Sequence, residues 1–294
     1  MDTSFGCARI NDGTLKCWGV IRKGDGTTDY IGATPTQISG ISNAVQLSGI
    51  YGYVCARIND GSLKCWGHSG NNRFGTGTSQ WYNTPVSVPG ISGANDVSIG
   101  NNMGCATLSG GTVKCWGSAQ YTWLGDGNDK LPGRSLLPLT VSGISNATDV
   151  VAGNNHSCAL ISGGSVKCWG ANSNGALGDG TTTMRTSPVS VSGLSGVSEL
   201  TAGADFTCAR LSDGTAKCWG LASNGRLGND NDTTNQLTPV SVSGLTGATQ
   251  ISSRSQSTCA VISGNAVKCW GRNDNGQLGS TDTYDRLTPI QAGE

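Results

Sequence analysis

The sequence predicts an all-β protein, a six-bladed β-propeller, and three observations carry that prediction. A 13-residue pattern that opens on a cysteine and closes on Cys-Trp-Gly occurs six times, with first cysteines at 7, 55, 105, 158, 208 and 259. Each interval of 48 to 53 residues holds four short β-type segments bounded by turn residues, and no helical periodicity. Gly supplies 46 of 294 residues while Glu occurs only at Glu199 and Glu294, a composition poor in helix formers. Repeats of about 50 residues mark solenoids, propellers or arrays, and four short strands per unit suit a propeller blade. Residues 1–294 are expected to form this single domain.

The first two segments of each unit read as a hairpin. In Ile10-Asn11-Asp12-Gly13-Thr14 the Gly supplies the left-handed residue of a three-residue loop, so Ile10 faces Thr14. Counting outward, Ala8 faces Lys16, Cys7 faces Cys17 and Gly6 faces Trp18. The two cysteines then meet at a non-hydrogen-bonded pair, with Cα atoms about 4.5 Å apart, inside the range a disulfide bridges. All six copies keep Ala opposite Lys, and the residue opposite Trp (Gly6, Val54, Gly104, Ser157, Thr207, Thr258) is small or Val. The register predicts six disulfides: Cys7–Cys17, Cys55–Cys65, Cys105–Cys115, Cys158–Cys168, Cys208–Cys218 and Cys259–Cys269. Zinc is the competing use, but facing pairs cannot supply four ligands, and His68 and His156 are the only histidines.

The third segment is of the Pro-Val-Ser-Val type. The fourth leads into the next cysteine and carries an apolar residue eight places before it: Leu47, Val97, Val150, Leu200 and Ile251. Cys7 has no such residue, because the position would precede Met1. Twelve hairpin strands, six of the third type and five of the fourth make 23. One blade is therefore expected to be three-stranded, or to take its fourth strand from an adjoining segment. The N-terminus lacks the basic and apolar regions of a signal peptide. The 294 residues are accordingly expected to be a piece of a longer exported protein, with Met1 added for expression.

After Cys-Trp-Gly comes a second motif, clearest in Asn174-Gly175-Ala176-Leu177-Gly178-Asp179-Gly180, Asn224-Gly225-Arg226-Leu227-Gly228 and Asn275-Gly276-Gln277-Leu278-Gly279. The first unit keeps only Lys23-Gly24-Asp25-Gly26-Thr27, the second Arg73-Phe74-Gly75 and the third Trp123-Leu124-Gly125. Together these motifs resemble the regulator of chromosome condensation repeat family, in the cysteine-bearing version of exported bacterial proteins. The resemblance covers essentially the whole chain and implies a propeller. The exchange-factor and light-sensing activities of family members are not carried over. A formal net charge of zero argues against chromatin, and the Cys-Trp-Gly tryptophans are scaffold.

Composition bounds the function. With 13% charged residues the chain carries no nucleic-acid footprint, and it has no run of 18 apolar residues to insert in a membrane. Twelve paired cysteines point to an extracellular or cell-surface setting. Neither His lies in a nucleophile motif, and no Walker loop, GxSxG or HExxH occurs, so no enzyme and no cofactor is expected. Asp residues such as those of Asn229-Asp230-Asn231-Asp232 read as turn chemistry rather than a calcium loop. His156, where Tyr53, Met103 and Phe206 stand in other units, reads as packing.

A repeat subtracts its own scaffold, and what remains is informative. Tyr30, Trp81, Tyr82, Tyr121, Trp123 and Tyr284 fall in the long loop between Cys-Trp-Gly and the Pro-Val-Ser-Val strand, and none of them repeats. Loops equivalent in sequence should be equivalent in space, so these aromatics are the expected ligand-binding residues. The expected role is an extracellular recognition module, adhesin-like or glycan-binding, with a protein-binding scaffold as the alternative. The expected partner is a cell-surface glycan or protein.

Overall fold

The computed structural model describes residues 5–21, 32–67, 73–78, 80–117, 124–128 and 135–293. Tyr30, Tyr121 and Trp123 lie outside them. The described chain is all-β apart from one 3-10 turn at Ser223–Gly225. It is built from six propeller blades. The first has three strands: β1 (Phe5–Arg9), β2 (Leu15–Gly19) and β3 (Thr36–Gln37). Each later blade has four, antiparallel and in chain order. The second holds β4 (Ala44–Ile50), β5 (Tyr53–Ile58), β6 (Leu63–Gly67) and β7 (Tyr82–Ser87); the third, β8 (Ala94–Ile99), β9 (Met103–Leu108), β10 (Val113–Gly117) and β11 (Ser135–Thr140). The fourth holds β12 (Ala147–Ala152), β13 (His156–Ile161), β14 (Ser165–Gly170) and β15 (Arg185–Ser190). The fifth is β16 (Val197–Ala202), β17 (Phe206–Leu211), β18 (Ala216–Gly220) and β19 (Gln236–Ser241). The sixth is β20 (Ala248–Arg254), β21 (Ser257–Ile262), β22 (Val267–Gly271) and β23 (Arg286–Gln291). The described residues hold the expected 23 strands, and the three-stranded blade is the first.

The hairpin register is the one the turn chemistry dictates. The Ile10 amide donates to the Thr14 carbonyl at 2.9 Å, Gly13 sits at φ +79°, and Gly6, Cys7 and Ala8 face Trp18, Cys17 and Lys16. All six predicted disulfides form, with Cα–Cα separations of 4.0–4.1 Å, shorter than an average non-hydrogen-bonded pair. Between the third and outer strands the ladder slips: Cys65 faces Val86, but Gly67 faces Tyr82. The Gly of Cys-Trp-Gly is required there. Gly67 sits at φ +108°, and a Cβ on it would lie 1.9 Å from the Gly52 carbonyl oxygen.

The chain divides into two compact units, Met1–Val150 and Val151–Glu294, the boundary falling within β12. In each unit the core lies between neighbouring blades rather than inside one. In the first unit, Leu15, Cys17, Ile21 and Ile38 of the first blade pack on Val54, Ala56 and Trp66 of the second. Cys55, Leu63 and Phe74 of the second pack on Val97, Ala106 and Trp116 of the third. In the second unit, Cys158, Val166 and Leu177 meet Leu200, Ala209 and Trp219, and Cys208, Ala216 and Leu227 meet Ile251, Ala260 and Trp270. Each blade thus has a leading face, with the disulfide and an apolar residue at or near the start of the third strand, and a rear face bearing the tryptophan. A fully buried Trp removes roughly 200 Å² from water, a gross gain on the order of 5 kcal/mol per joint.

Candidate functional site

The second sequence motif is the socket for that tryptophan. Trp116 Nε1 donates to the Arg73 carbonyl at 2.9 Å, Trp219 to Ala176 at 2.9 Å and Trp270 to Arg226 at 3.2 Å. In each case the acceptor stands two residues before a Gly of the motif (Gly75, Gly178 or Gly228), and the intervening Phe74, Leu177 or Leu227 is fully buried. Gly178 (φ +66°) has its would-be Cβ 2.8 Å from Trp219 Nε1, and Gly228 stands the same way against Trp270. The motif therefore serves the scaffold, and the outward part of the loop is left to vary.

That outward part places the described aromatics. Trp81 directly precedes β7 and is 48% exposed; Tyr284 lies two residues before β23 and is 73% exposed. Met184, directly before β15, is 44% exposed and belongs with them. Its thioether is as apolar as the rings, but an aromatic count passes over it. Tyr82 differs. Its hydroxyl sits between Thr76 Oγ1 at 2.9 Å and Thr78 Oγ1 at 2.7 Å, and its ring lies edge-on to Phe74 with centroids 5.1 Å apart. Half-buried, it braces its own loop. The loop under Tyr284 is held by its neighbours: Asp282 Oδ1 accepts the Tyr284 amide at 3.1 Å, and Arg286 pairs with Asp282 Oδ2 at 2.6 Å. Nearby in the second unit, Arg226 donates to Ser223 O at 2.7 Å and Gln256 Oε1 at 3.0 Å. Burial pushes the Asp205 carboxyl up, with the Arg226 charge opposing.

His156 is buried, with Nε2 2.9 Å from Thr207 Oγ1, and the Thr207 hydroxyl donates to the Ala176 carbonyl at 3.1 Å. The single hydroxyl proton is spent on Ala176, so His156 Nε2 carries the hydrogen of this contact, and burial keeps the ring neutral. Burial drives its pKa down from 6.5 to about 4. It helps hold the carbonyl that seats Trp219. The Asn231 side chain accepts the amides of Thr233 at 2.9 Å and Thr234 at 3.0 Å, which is turn chemistry. Among the described residues no group of three or more His, Cys, Asp or Glu could hold a metal.

One set of residues escaped the sequence reading. Each four-stranded blade carries Gln or an acid directly before the apolar residue of its innermost strand, and at Gln46, Asp96 and Glu199 this side chain reaches the next blade. Gln46 Oε1 accepts the Val97 amide at 3.2 Å, Asp96 Oδ2 the Val150 amide at 3.4 Å and Glu199 Oε2 the Ile251 amide at 3.1 Å. Two residues on, Ser48 Oγ accepts from Ile99 at 2.9 Å and Thr201 Oγ1 from Ser253 at 2.6 Å. From the paired strand, Arg57 Nε donates to Gln46 Oε1 at 3.1 Å and Arg210 pairs with the Glu199 carboxylate at 2.9 Å. The recurrence of Gln46, Asp96, Asp149, Glu199 and Gln250 at one register position was the available signal.

The regulator of chromosome condensation (RCC1) repeat model matches residues 110–160, 163–210 and 213–261, and a second model of the same repeat matches 147–176 and 197–226. The ultraviolet-B receptor UVR8 of Arabidopsis thaliana is 41% identical over 151 residues, which are 49% of this chain and 34% of the receptor. The chain thus spans about a third of the curated relative it matches. Prp20p of Saccharomyces cerevisiae superposes with a TM-score of 0.85 at 19% identity, over 100% of this chain and 76% of that one. Human WBSCR16 gives 0.85 at 16%, over 100% and 80%. With half the chain matched by the repeat model and its Trp socket explained residue by residue, the protein belongs to the regulator of chromosome condensation repeat family.

Proposed function

We propose that this propeller is a non-catalytic recognition module that works in the extracellular space or at the cell surface and binds a protein through the loops ahead of its outermost strands. Six disulfides, one per blade, suit an oxidising environment. One observation carries the reading: Trp81 in the first unit, and Met184 and Tyr284 in the second, are large and exposed one or two residues ahead of an outermost strand. Single exposed apolar residues need no explanation, but large exposed side chains in the same kind of loop in each unit are what binding loops supply. Prp20p, whose fold is similar, is described together with its binding to Gsp1p and histones. The RCC1-type scaffold therefore lends itself to protein binding.

A second reading, an adhesin-like module for glycans, draws on the same rings, because Trp81 and Tyr284 are flanked by Asn83 and by Ser280 and Asp282. Binding of the purified protein to cell surfaces separates the two. The protein reading expects binding to be lost when the cells are pretreated with protease and kept after glycosidase treatment. It also expects the Trp81→Ala, Tyr284→Ala double variant to bind about tenfold more weakly or worse. Loss after glycosidase alone gives these loops to a glycan. Full binding by the double variant removes these two side chains from the binding surface.

A further inference from the structure

Arg226 stands in its loop where Ala176 and Gln277 stand in the fourth and sixth blades, and it is only 3% exposed. The scaffold uses its carbonyl, not its side chain. Its guanidinium is nevertheless held from several sides. Nε donates to the Ser223 carbonyl at 2.7 Å, and Nη2 reaches Ser223 Oγ at 3.0 Å, Asn224 Oδ1 at 3.2 Å and Gln256 Oε1 at 3.0 Å. The Phe206 ring lies beneath it, 5.9 Å away at the centroid. Nη1 alone has no hydrogen-bond partner among the described residues, and it is not enclosed. Every oxygen bound to this cation is neutral, and two of them belong to carboxamides.

The nearby acid does not pair with it. Asp205 directly precedes Phe206 in the loop between β16 and β17, and the Leu221 amide donates to its carbonyl at 2.9 Å, tying that loop to the one that carries Arg226. Among the described residues its carboxylate accepts no hydrogen bond; burial raises its pKa and the Arg226 charge opposes. Asn224, which accepts from Arg226, donates in turn to Asp285 Oδ2 at 2.7 Å. The cluster therefore adjoins the loop of the exposed Tyr284, all within the second unit.

We propose that Arg226 and Asp205 form a seat for a neutral carboxamide, the side chain of an Asn or Gln on a protein partner. The carboxamide oxygen accepts from Nη1 and its NH2 group donates to the Asp205 carboxylate, so one planar group meets both unused valences. A carboxylate fits Nη1 but is repelled by Asp205, and an ammonium fits Asp205 but is repelled by Arg226. The inference rests on the protein-binding reading for the source of the carboxamide.

The test titrates the purified full chain with N-acetylglutaminamide and with its anionic counterpart, N-acetylglutamate amide, and follows the backbone amides of Asp205, Phe206 and Arg226 by NMR. The neutral probe is expected to saturate in the millimolar range, and the anionic one to bind about tenfold more weakly or worse. Arg226→Gln installs the residue that the sixth blade uses at this place and should abolish the shifts. Asp205→Asn installs the counterpart of Asn155 and should remove the preference for the neutral probe. Equal binding of the two probes overturns the proposal, as do shifts that survive Arg226→Gln or a neutral probe that does not saturate. Saturation by a methyl glycoside in place of the carboxamide also overturns it and gives the cluster to a sugar. Because no cell surface enters the titration, its failure leaves the protein-binding reading standing, and failure of that reading leaves the titration unmoved.

Discussion

His156 fills the place that Tyr53, Met103 and Phe206 fill in other blades, and its burial as a neutral ring has a sign that can be measured. The unfolded ring titrates near 6.5 and the folded ring near 4. Below pH 6.5 the unfolded chain therefore takes up the proton first, and stability falls as pH drops toward 4. The loss approaches roughly 3 kcal/mol at the acid end of that window. Phe already serves at this position in the fifth blade, so His156→Phe should fold. Its thermal midpoint should fall less than the wild type's between pH 6.5 and 4; parallel curves for the two proteins would refute the assignment. The Lys of every Cys-Trp-Gly hairpin was legible only as a repeated letter. The structure gives its reason: Lys64 and Lys114 donate to the Gly40 and Gly90 carbonyls, at 2.8 and 2.9 Å, and tie down the turn that leads into the innermost strand. Contacts of this kind join turns far apart in the chain, and a repeated letter does not name the partner that it reaches. The Gln46 and Glu199 contacts were missed for the same reason.

Among the elements, strands and hairpins were readable because period-two patterning and Asn-Asp-Gly turns are local. The slip between third and outer strands was not, since it follows from the close approach of Gly67 to the Gly52 carbonyl rather than from any turn signal. The tryptophan socket gives the sharpest test at this scale. Gly178 and Gly193 both have positive φ, at +66° and +63°, but only Gly178 touches an indole; a Cβ on Gly193 would meet nothing within 4 Å. Gly193→Ala should cost about 1 kcal/mol for its backbone alone. Gly178→Ala should cost about 2–4 kcal/mol, because it must also displace Trp219. Urea denaturation of the two variants checks this, and equal costs would mean that the indole gives way freely.

For the whole molecule, repeat length, blade number and the short first blade were all legible, because a repeated unit states its architecture six times. The loops proposed to bind a partner were less so. A ligand contacts the residues in which the units differ, and a difference carries no pattern of its own. Trp81 and Tyr284 could be picked out as unrepeated aromatics, Met184 could not, and Tyr82 proved to brace its loop. The disulfides act at this scale too. Each joins cysteines ten residues apart and contributes about 2–3 kcal/mol or less, since the hairpin is already local. Removing all six with a reductant should lower the thermal midpoint well beyond the effect of any single Cys-to-Ser pair. An unchanged midpoint would make the bonds ornamental.

The central claim is that every repeat is a blade stapled to itself. Each second cysteine directly follows a lysine (Lys16, Lys64, Lys114, Lys167, Lys217, Lys268), so trypsin parts the two cysteines of every pair. Mass spectrometry of a non-reduced tryptic digest then reads the connectivity directly. The account predicts six linked peptide pairs, Cys7 with Cys17 through Cys259 with Cys269, and no free thiol. Free cysteines, or a peptide joining two different repeats, would contradict it.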